Sequence, residues 1–439
     1  MTDTPIRLAV VGTGYVGLTT GACFAHLGHH VVCGDIDPRK VDLLNAGHIP
    51  IVEEGLETIV NAARAAGMLE FVLGAAEAAR DADIVFLCVP TPQGDDGSAD
   101  LSYIEQAAAQ IAPVLKSGAV VVNKSTVPVG STLAVERVLQ RTDVSVVSNP
   151  EFLREGTAVH DFLHPDRVVI GSVDRSAAER VADLYAQVDA PIHITDPASA
   201  ETIKYAANGF LAMKISFVNA VAAMCEAVGA DVAAVVEGIG SDQRIGMQFL
   251  RPGPGWGGSC FPKDSRALVK IAEDHGYNFT MMRGVIDVND EQLDRMVSKI
   301  AAAAGRPDHD LSGITVGGLG LTFKAGTDDL RESPALAIIE ELRRLGASVR
   351  AYDPTTTGEL TPHQQQVLDG IHLLDDPLEV ASGADVIAVF TEWPDFAKIE
   401  LAAFAARSRP GVSIVDTRNL LDPHLVREAG FEYDGVGSR

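Results

Sequence analysis

The feature that most restricts this chain is Gly12-Thr13-Gly14-Tyr15-Val16-Gly17. It is a GxGxxG set directly after an apolar, β-branched run at 6–11, and it opens a helical pattern at 15–27. The first glycine permits a tight turn, the second lets backbone approach a pyrophosphate, and the third packs the helix close to the strand. A diphosphate would rest on exposed N–H groups at the positive helix end. The next strand, 30–34, is followed by Asp35, which lies 35 − 17 = 18 positions after Gly17. A carboxylate there accepts hydrogen bonds from an adenosine ribose and repels a 2′-phosphate, which favours NAD over NADP. Asp37 is the alternative partner.

Further apolar runs at 84–89, 119–123, 144–148 and 168–171 alternate with helical segments, as in a parallel sheet with crossover helices. Residues 199–229 lack proline and carry apolar residues at helical period, so a long helix ending at Gly229 is expected. Its length suits a spine between domains, and an apolar face on it could make a subunit interface. The C-terminal third repeats the N-terminal order. Segments 6–12, 29–38, 81–92 and 118–126 resemble 314–317, 347–354, 383–394 and 411–419. The expected fold is α/β, with two Rossmann-like parallel-sheet domains joined by a long central helix. The expected division is 1–198, binding NAD, then 199–305, helical and dimerising, then 306–439. In the second unit, Gly317, Gly318 and Gly320 precede a long insertion before a helix near Pro334. That departs from GxGxxG and suits a nucleotide other than a dinucleotide, with Lys324 and Arg331 as local positive charge.

The formal charge of −25 over 439 residues argues against nonspecific nucleic-acid binding and against an anionic membrane surface. No apolar run approaches the roughly 18 residues that span a bilayer, and residues 1–7 lead into a strand without a visible signal peptide. Cys23, Cys33, Cys88, Cys225 and Cys260 form neither a CxxC pair nor a zinc spacing. No metal is expected, and a reducing cytoplasm is.

Chemistry concentrates in Gly257-Gly258-Ser259-Cys260-Phe261-Pro262-Lys263-Asp264. Four cysteines sit in apolar surroundings, whereas Cys260 lies on a glycine-flanked turn just before a helix, where a thiolate is favoured. Beside a hydride acceptor, such a thiol can trap an aldehyde, so that a second hydride leaves and a carboxylate forms. Lys204 and Asn208, at i and i+4, share a helix face and could stabilise an oxyanion. Asp264 could hold or activate a water. Glu151 and Glu155 lie in "NPEFLREG", and either could be the second proton carrier. Cys88-Val89-Pro90-Thr91-Pro92 and Ser125-Thr126 close strands at the carboxyl edge of the sheet and could wall the nicotinamide half of the cofactor.

"VVGTGYVGL", "CVPTP", "KSTVPVGST", "SNPEFLREGTA", "AETIKYAANGFLAMKISFVN", "GSDQRIG", "GWGGSCFPKDSRAL", "GLTFKAGTDDLRESPA" and "AYDP" occur in this order. In these stretches the chain resembles the UDP-glucose 6-dehydrogenase family of nucleotide-sugar dehydrogenases, which oxidise an alcohol to an acid in four electrons. The resemblance implies Cys260 as covalent nucleophile and Lys204 with Asn208 as oxyanion stabilisers. It implies Asp264 and Thr126 as holders of the catalytic water, and Glu155 in acid/base work. NAD would contact Gly12, Gly14, Tyr15, Val16, Gly17, Asp35, Lys40, Pro90, Thr91, Ser125, Thr126, Glu155, Lys263 and Arg331. UDP-glucose would contact Glu151, Phe152, Leu153, Arg154, Lys204, Asn208 and Lys324. The glycine-rich stretch 249–257, with Phe249, Gly255 and Gly257, would wrap it. Arg244 would reach the substrate of a neighbouring subunit, making a homodimer or higher oligomer. The competing expectations are a sister enzyme for UDP-N-acetylmannosamine or GDP-mannose, a two-electron hydroxyacid dehydrogenase with no use for Cys260, and a non-catalytic nucleotide-binding protein.

Overall fold

The computed structural model describes residues 6–94 and 99–437; residues 1–5, read above as the approach to the first strand, lie outside them. The chain divides into two compact units, residues 1–207 with 266–277 and residues 208–265 with 278–439.

The first unit holds an eight-stranded sheet: β1 (Arg7–Val11), β2 (His30–Asp35), β3 (Leu69–Leu73), β4 (Ile84–Leu87), β5 (Val120–Asn123), β6 (Ser145–Ser148), β7 (Val168–Gly171) and β8 (Ile192–Thr195). Its order is β3-β2-β1-β4-β5-β6-β7-β8. β4 and β5 are buried at every residue, which is why they read as unbroken apolar runs. The order reverses at β1, where Leu8 faces Val31 on one side and Ile84 on the other. The carboxyl ends of β1 and β4 therefore open the crevice where doubly wound sheets bind ligands. One departure from the expected parallel sheet is that β7 meets β6 antiparallel, through the single pair Ser148 and Gly171. The connection between them carries only one short helix, Ala158–Leu163, and returns on the same edge rather than crossing over.

The second unit repeats the plan with β9 (Thr315–Leu319), β10 (Ser348–Tyr352), β11 (His372–Leu373), β12 (Val386–Val389), β13 (Ser413–Asp416) and β14 (Glu432–Gly435). The order is β11-β10-β9-β12-β13-β14, and every pairing is parallel. The four repeated sequence segments fall on β1, β2, β4 and β5 in one sheet and on β9, β10, β12 and β13 in the other. Apolar clusters cover both sheets. Phe24, Phe86, Phe162 and Tyr185 interlock in the first unit, and Val316, Ile338 and Phe390 are among the core of the second.

The long helix is Pro197–Val228, and Gly229 ends it at φ +77°. Its proline sits at the first position, where no intrahelical N–H is lost. Glu201, Lys204, Asn208, Ser216 and Asn219 are buried, whereas Phe210, Phe217, Met224 and Val228 are more than half exposed. By length and composition alone this helix could cross a membrane, although its sequence carries no unbroken apolar run of that length. Spaced charges such as Lys214 and Glu226 break the run without lowering its average below that of a spanning segment.

Candidate active site

The glycine turn of the first unit has the geometry that a dinucleotide needs. Gly12 sits at φ +97°, and a Cβ there would lie 2.6 Å from the Cys88 carbonyl oxygen. A Cβ at Gly17 would come within 1.9 Å of the Gly12 carbonyl oxygen, whereas one at Gly14 would meet nothing within 4 Å. Only Gly14 faces open space, as approach of a pyrophosphate requires, and Tyr15 and Val16 beside it are half-buried. Asp35 is 9% exposed and already accepts from Thr13 N, Thr13 Oγ1 and Asp37 N. Three bonds leave a carboxylate with room for one more, from a ribose hydroxyl. Burial pushes the Asp35 carboxyl up, but these hydrogen bonds and the charge of Lys40 outweigh it and hold the carboxyl low. Asp37, the alternative, instead caps the helix Pro38–Ala46 and pairs with Arg39. Thr91, Ser125 and Thr126 are buried behind the strand ends, and Pro90 is exposed. Ser125 Oγ donates to the Val89 carbonyl at 2.6 Å, tying the two strand exits together.

The "NPEFLREG" loop carries the second group of the first unit. Lys204 Nζ donates to Glu151 Oε1 at 2.9 Å, and both side chains are almost fully buried, at 3% and 4% exposure. Burial pushes the Glu151 carboxyl up, but the charge and hydrogen bond of Lys204, the Leu153 N–H and the charge of Lys124 reverse this. Phe152 lies under Lys204, 5.3 Å from Nζ to the ring centre, and stacks on Arg167 at 3.6 Å. Leu153 and Glu155 are half-buried. Arg154 forms a bidentate pair with Asp161, so its guanidinium is committed within the loop. Glu53 anchors the loop by accepting from Gly156 N and Ala158 N, each at 2.7 Å.

The second unit brings Cys260, Asn208, Lys263 and Asp264 together. The Cys260 carbonyl accepts the first turn bond of its helix, Phe261–Asp274, from Asp264 N at 2.8 Å. The thiol therefore stands at the positive helix end, with Ser259 Oγ 3.6 Å from its sulfur. Asp264 is fully buried, held at 2.6 Å by both Asn208 Nδ2 and Lys263 Nζ. Lys204 and Asn208, one turn apart on the long helix, thus each engage a carboxylate.

Close backbone contacts shape the thiol turn. A Cβ at Gly257 would lie 2.0 Å from the Glu332 carbonyl oxygen, and one at Gly258 would strike the Phe323 ring. The turn is thereby set against the segment that carries Lys324 and Arg331. Lys324 Nζ sits 5.5 Å from the Phe323 ring centre, and Arg331, half exposed, pairs with Asp329. Phe249 is held at φ +62° and packs edge-on against Phe261. Arg244 is 89% exposed and paired with Asp242. In the second sheet, Asp353 mirrors Asp35 but is fully buried, accepting from Leu321 N, Thr322 N and Trp393 Nε1. A carboxylate so enclosed presents no edge to a ribose, unlike Asp35.

Sequence reading did not pick out the buried polar groups that hold the site. These are Glu53, Lys124 and Asp161 in the first unit, and Asn219, Asn289 and Gln292 in the second. Asn289 grips Trp256 through both its N–H and its carbonyl, Asn219 accepts from Gly253 N, and Gln292 donates to Gly253 O.

The chain matches the UDP-glucose/GDP-mannose dehydrogenase family in three stretches: the NAD binding domain over residues 6–189, the central domain over 198–291 and the UDP binding domain over 317–423. A UDP-glucose 6-dehydrogenase of Rhizobium meliloti is 44% identical, covering 98% of this chain and 99% of that protein. A UDP-glucose dehydrogenase structure from the hyperthermophilic archaeon Pyrobaculum islandicum superposes with a TM-score of 0.91 at 38% identity, covering 100% of this chain and 99% of that one. A UDP-D-ManNAc dehydrogenase from Pyrococcus horikoshii superposes with a TM-score of 0.85 at 28% identity, over 98% and 99%.

Proposed function

Because the chain belongs to the UDP-glucose/GDP-mannose dehydrogenase family, we propose that it oxidises carbon 6 of UDP-glucose twice, giving UDP-glucuronate. The observation that supports the four-electron course is Cys260 at the head of its helix, one turn from an Asp264 fixed by Asn208 and Lys263. NAD, when bound, accepts a hydride in each oxidation.

Lys204 and Glu151 carry away the carbon-6 hydroxyl proton. Glu151 is assigned to this step because it accepts a hydrogen bond from Lys204 Nζ. The Cys260 thiolate then adds to the aldehyde carbon, and the alkoxide that forms takes hydrogen bonds from Asn208 and Lys204. Loss of the second hydride turns this thiohemiacetal into a thioester. Water held by Asp264 and Thr126 splits it, with Glu155 as the acid/base group, and returns the thiol. The sum is UDP-glucose, two NAD and water to UDP-glucuronate, two NADH and three protons.

Residues 1–198 would serve NAD, 199–305 would carry the thiol, the subunit contact and the glycine-rich stretch 249–257 that wraps the sugar nucleotide, and 306–439 would hold the UDP with Lys324. Lys40 and Arg331 would steer the cofactor's charges. The exposed stripe of Phe210, Phe217 and Met224, at seven-residue spacing, suits a second copy of the same helix, and the outward Arg244 suits a neighbour's substrate. Buried thiols favour the reducing cytoplasm as the place of work.

The test is to incubate limiting UDP-glucose with excess NAD and count NADH per sugar. Two NADH with UDP-glucuronate as product support the scheme, and Cys260→Ser should keep NAD binding but stop acid formation. One NADH per sugar would reduce the reaction to alcohol oxidation. Turnover of UDP-N-acetylmannosamine or GDP-mannose instead would move the protein to a sister activity.

A further inference from the structure

Behind the Glu151–Lys204 pair lies a second buried lysine that the scheme above does not use. Lys124 follows β5 and is 4% exposed. Its Nζ donates to Asn149 Oδ1 and to the Tyr185 hydroxyl, each at 3.1 Å, and stands 5.7 Å and 5.9 Å from the ring centres of Tyr185 and Phe162. The seat is rigid, since Tyr185 donates to Asn149 Oδ1 at 2.7 Å and Asn149 Nδ2 donates to the Val169 carbonyl at 2.8 Å. Lys124 and Glu151 line one cavity of about 30 Å³, room enough for a water.

The charged and titratable groups around it come from every neighbouring element. Cys88, after β4, is a neutral thiol pushed up to about 12 by burial, and Tyr185 is a neutral phenol. Asp161 is taken by Arg154, and Arg167 by the face of Phe152. Glu151 is thus the carboxylate that two buried ammonium groups share, one at hydrogen-bond distance and one within electrostatic reach.

We propose that Lys124 sets the proton affinity of Lys204 through this shared carboxylate, and so fixes the pH at which the enzyme removes the substrate's hydroxyl proton. The proposal rests on the reading of Lys204 and Glu151 as proton carriers. Two cations competing for one anion each hold their proton less firmly than either would alone, so a charged Lys124 lets Lys204 act as a base nearer neutrality. Burial also brings Lys124 itself down to about 8, so it is still mostly charged at pH 7. Lys124 makes no contact with substrate in this scheme; it is a positioning residue.

The experiment follows NADH appearance from UDP-glucose at saturating NAD between pH 6 and 10. Lys124→Met should move the acid limb of kcat upward by about one pH unit, a tenfold loss at pH 7, with recovery to near wild type on the alkaline side. Tyr185→Phe, which keeps the lysine but removes one of its acceptors, should move the limb the same way by less. An unmoved limb in both variants, or an equal loss at every pH, overturns the proposal; if Lys124→Met does not fold, Tyr185→Phe decides. Lys204→Met separates the two levels of inference. Should it keep wild-type rate and limb, the proton-carrier reading falls and takes this proposal with it. Should it abolish turnover while the limb of Lys124→Met stays in place, the proposal alone falls.

Discussion

At Lys124 the folded chain holds its proton less tightly than the unfolded chain does, because burial outweighs the pull of Glu151 and the Lys204 charge works in the same direction as burial. Below about pH 8 the native state must keep a buried ammonium; between about 8 and the ordinary lysine value of 10.5 the unfolded state binds the extra proton. Stability from this group therefore rises with pH across that window. The buried thiols act oppositely: Cys23 and Cys88, each pushed up to about 12, favour the native state below 9.0 and lose that favour as pH climbs. The thiol effect is common to wild type and Lys124→Met and cancels in their difference. Urea unfolding should show the wild-type minus variant free energy rising with pH between about 8 and 10.5, by an order of 3 kcal/mol. A difference that stays constant across the range would show that Lys124 has an ordinary proton affinity.

Among the elements, the glycine-rich stretch between residues 249 and 257 is held chiefly by side chains of two helices. Asn289 and Gln292 come from Thr280–Ala303, and Ser216 and Asn219 from the long helix; Trp256 Nε1 donates to Ser216 Oγ, which in turn donates to the Val285 carbonyl. Gly255, at φ +118°, leaves just enough room for Asn289 Oδ1. Asn289→Ala should free this backbone and strand a buried Trp256 N–H, raising KM for the nucleotide sugar about tenfold, with a smaller change in kcat. Equal effects on NAD binding would instead mark a general loss of folding. Such ties explain what the sequence concealed. Apolar runs revealed β1, β2 and β4 to β7, but not β3, whose run is broken by the exposed Glu70, nor β8, a half-exposed edge with His193. Cys260, Lys204 and Asn208 were legible because helix spacing and a glycine-flanked turn are local. Glu53 was not, because its partners are N–H groups more than 100 residues away, and Lys124 reads from sequence only as a strand exit.

For the molecule as a whole, the two sheets share the order of their first six strands but differ at their first turns, open at Gly14 and closed around Asp353. The exposed apolar stripe on the long helix predicts association through that face. Phe217→Glu should halve the mass seen by sedimentation velocity and lower turnover through the loss of the neighbour's Arg244, without disturbing NAD binding. Unchanged mass in that variant would overturn association through this face. Burial also sorts the five thiols: Cys23, Cys33, Cys88 and Cys225 are enclosed, while Cys260 is partly exposed. Native protein treated with iodoacetamide should take up one equivalent per chain, at Cys260, with activity falling in step; several equivalents would show that the enclosed thiols are within reach. The fold thereby supplies its own titrant. With Cys260 as the proposed nucleophile, a thiol reached by an aldehyde would also be reached by electrophiles and peroxide; a single chemical event at one atom would then silence turnover, and the fraction of competent molecules in a preparation would be read from one sulfur.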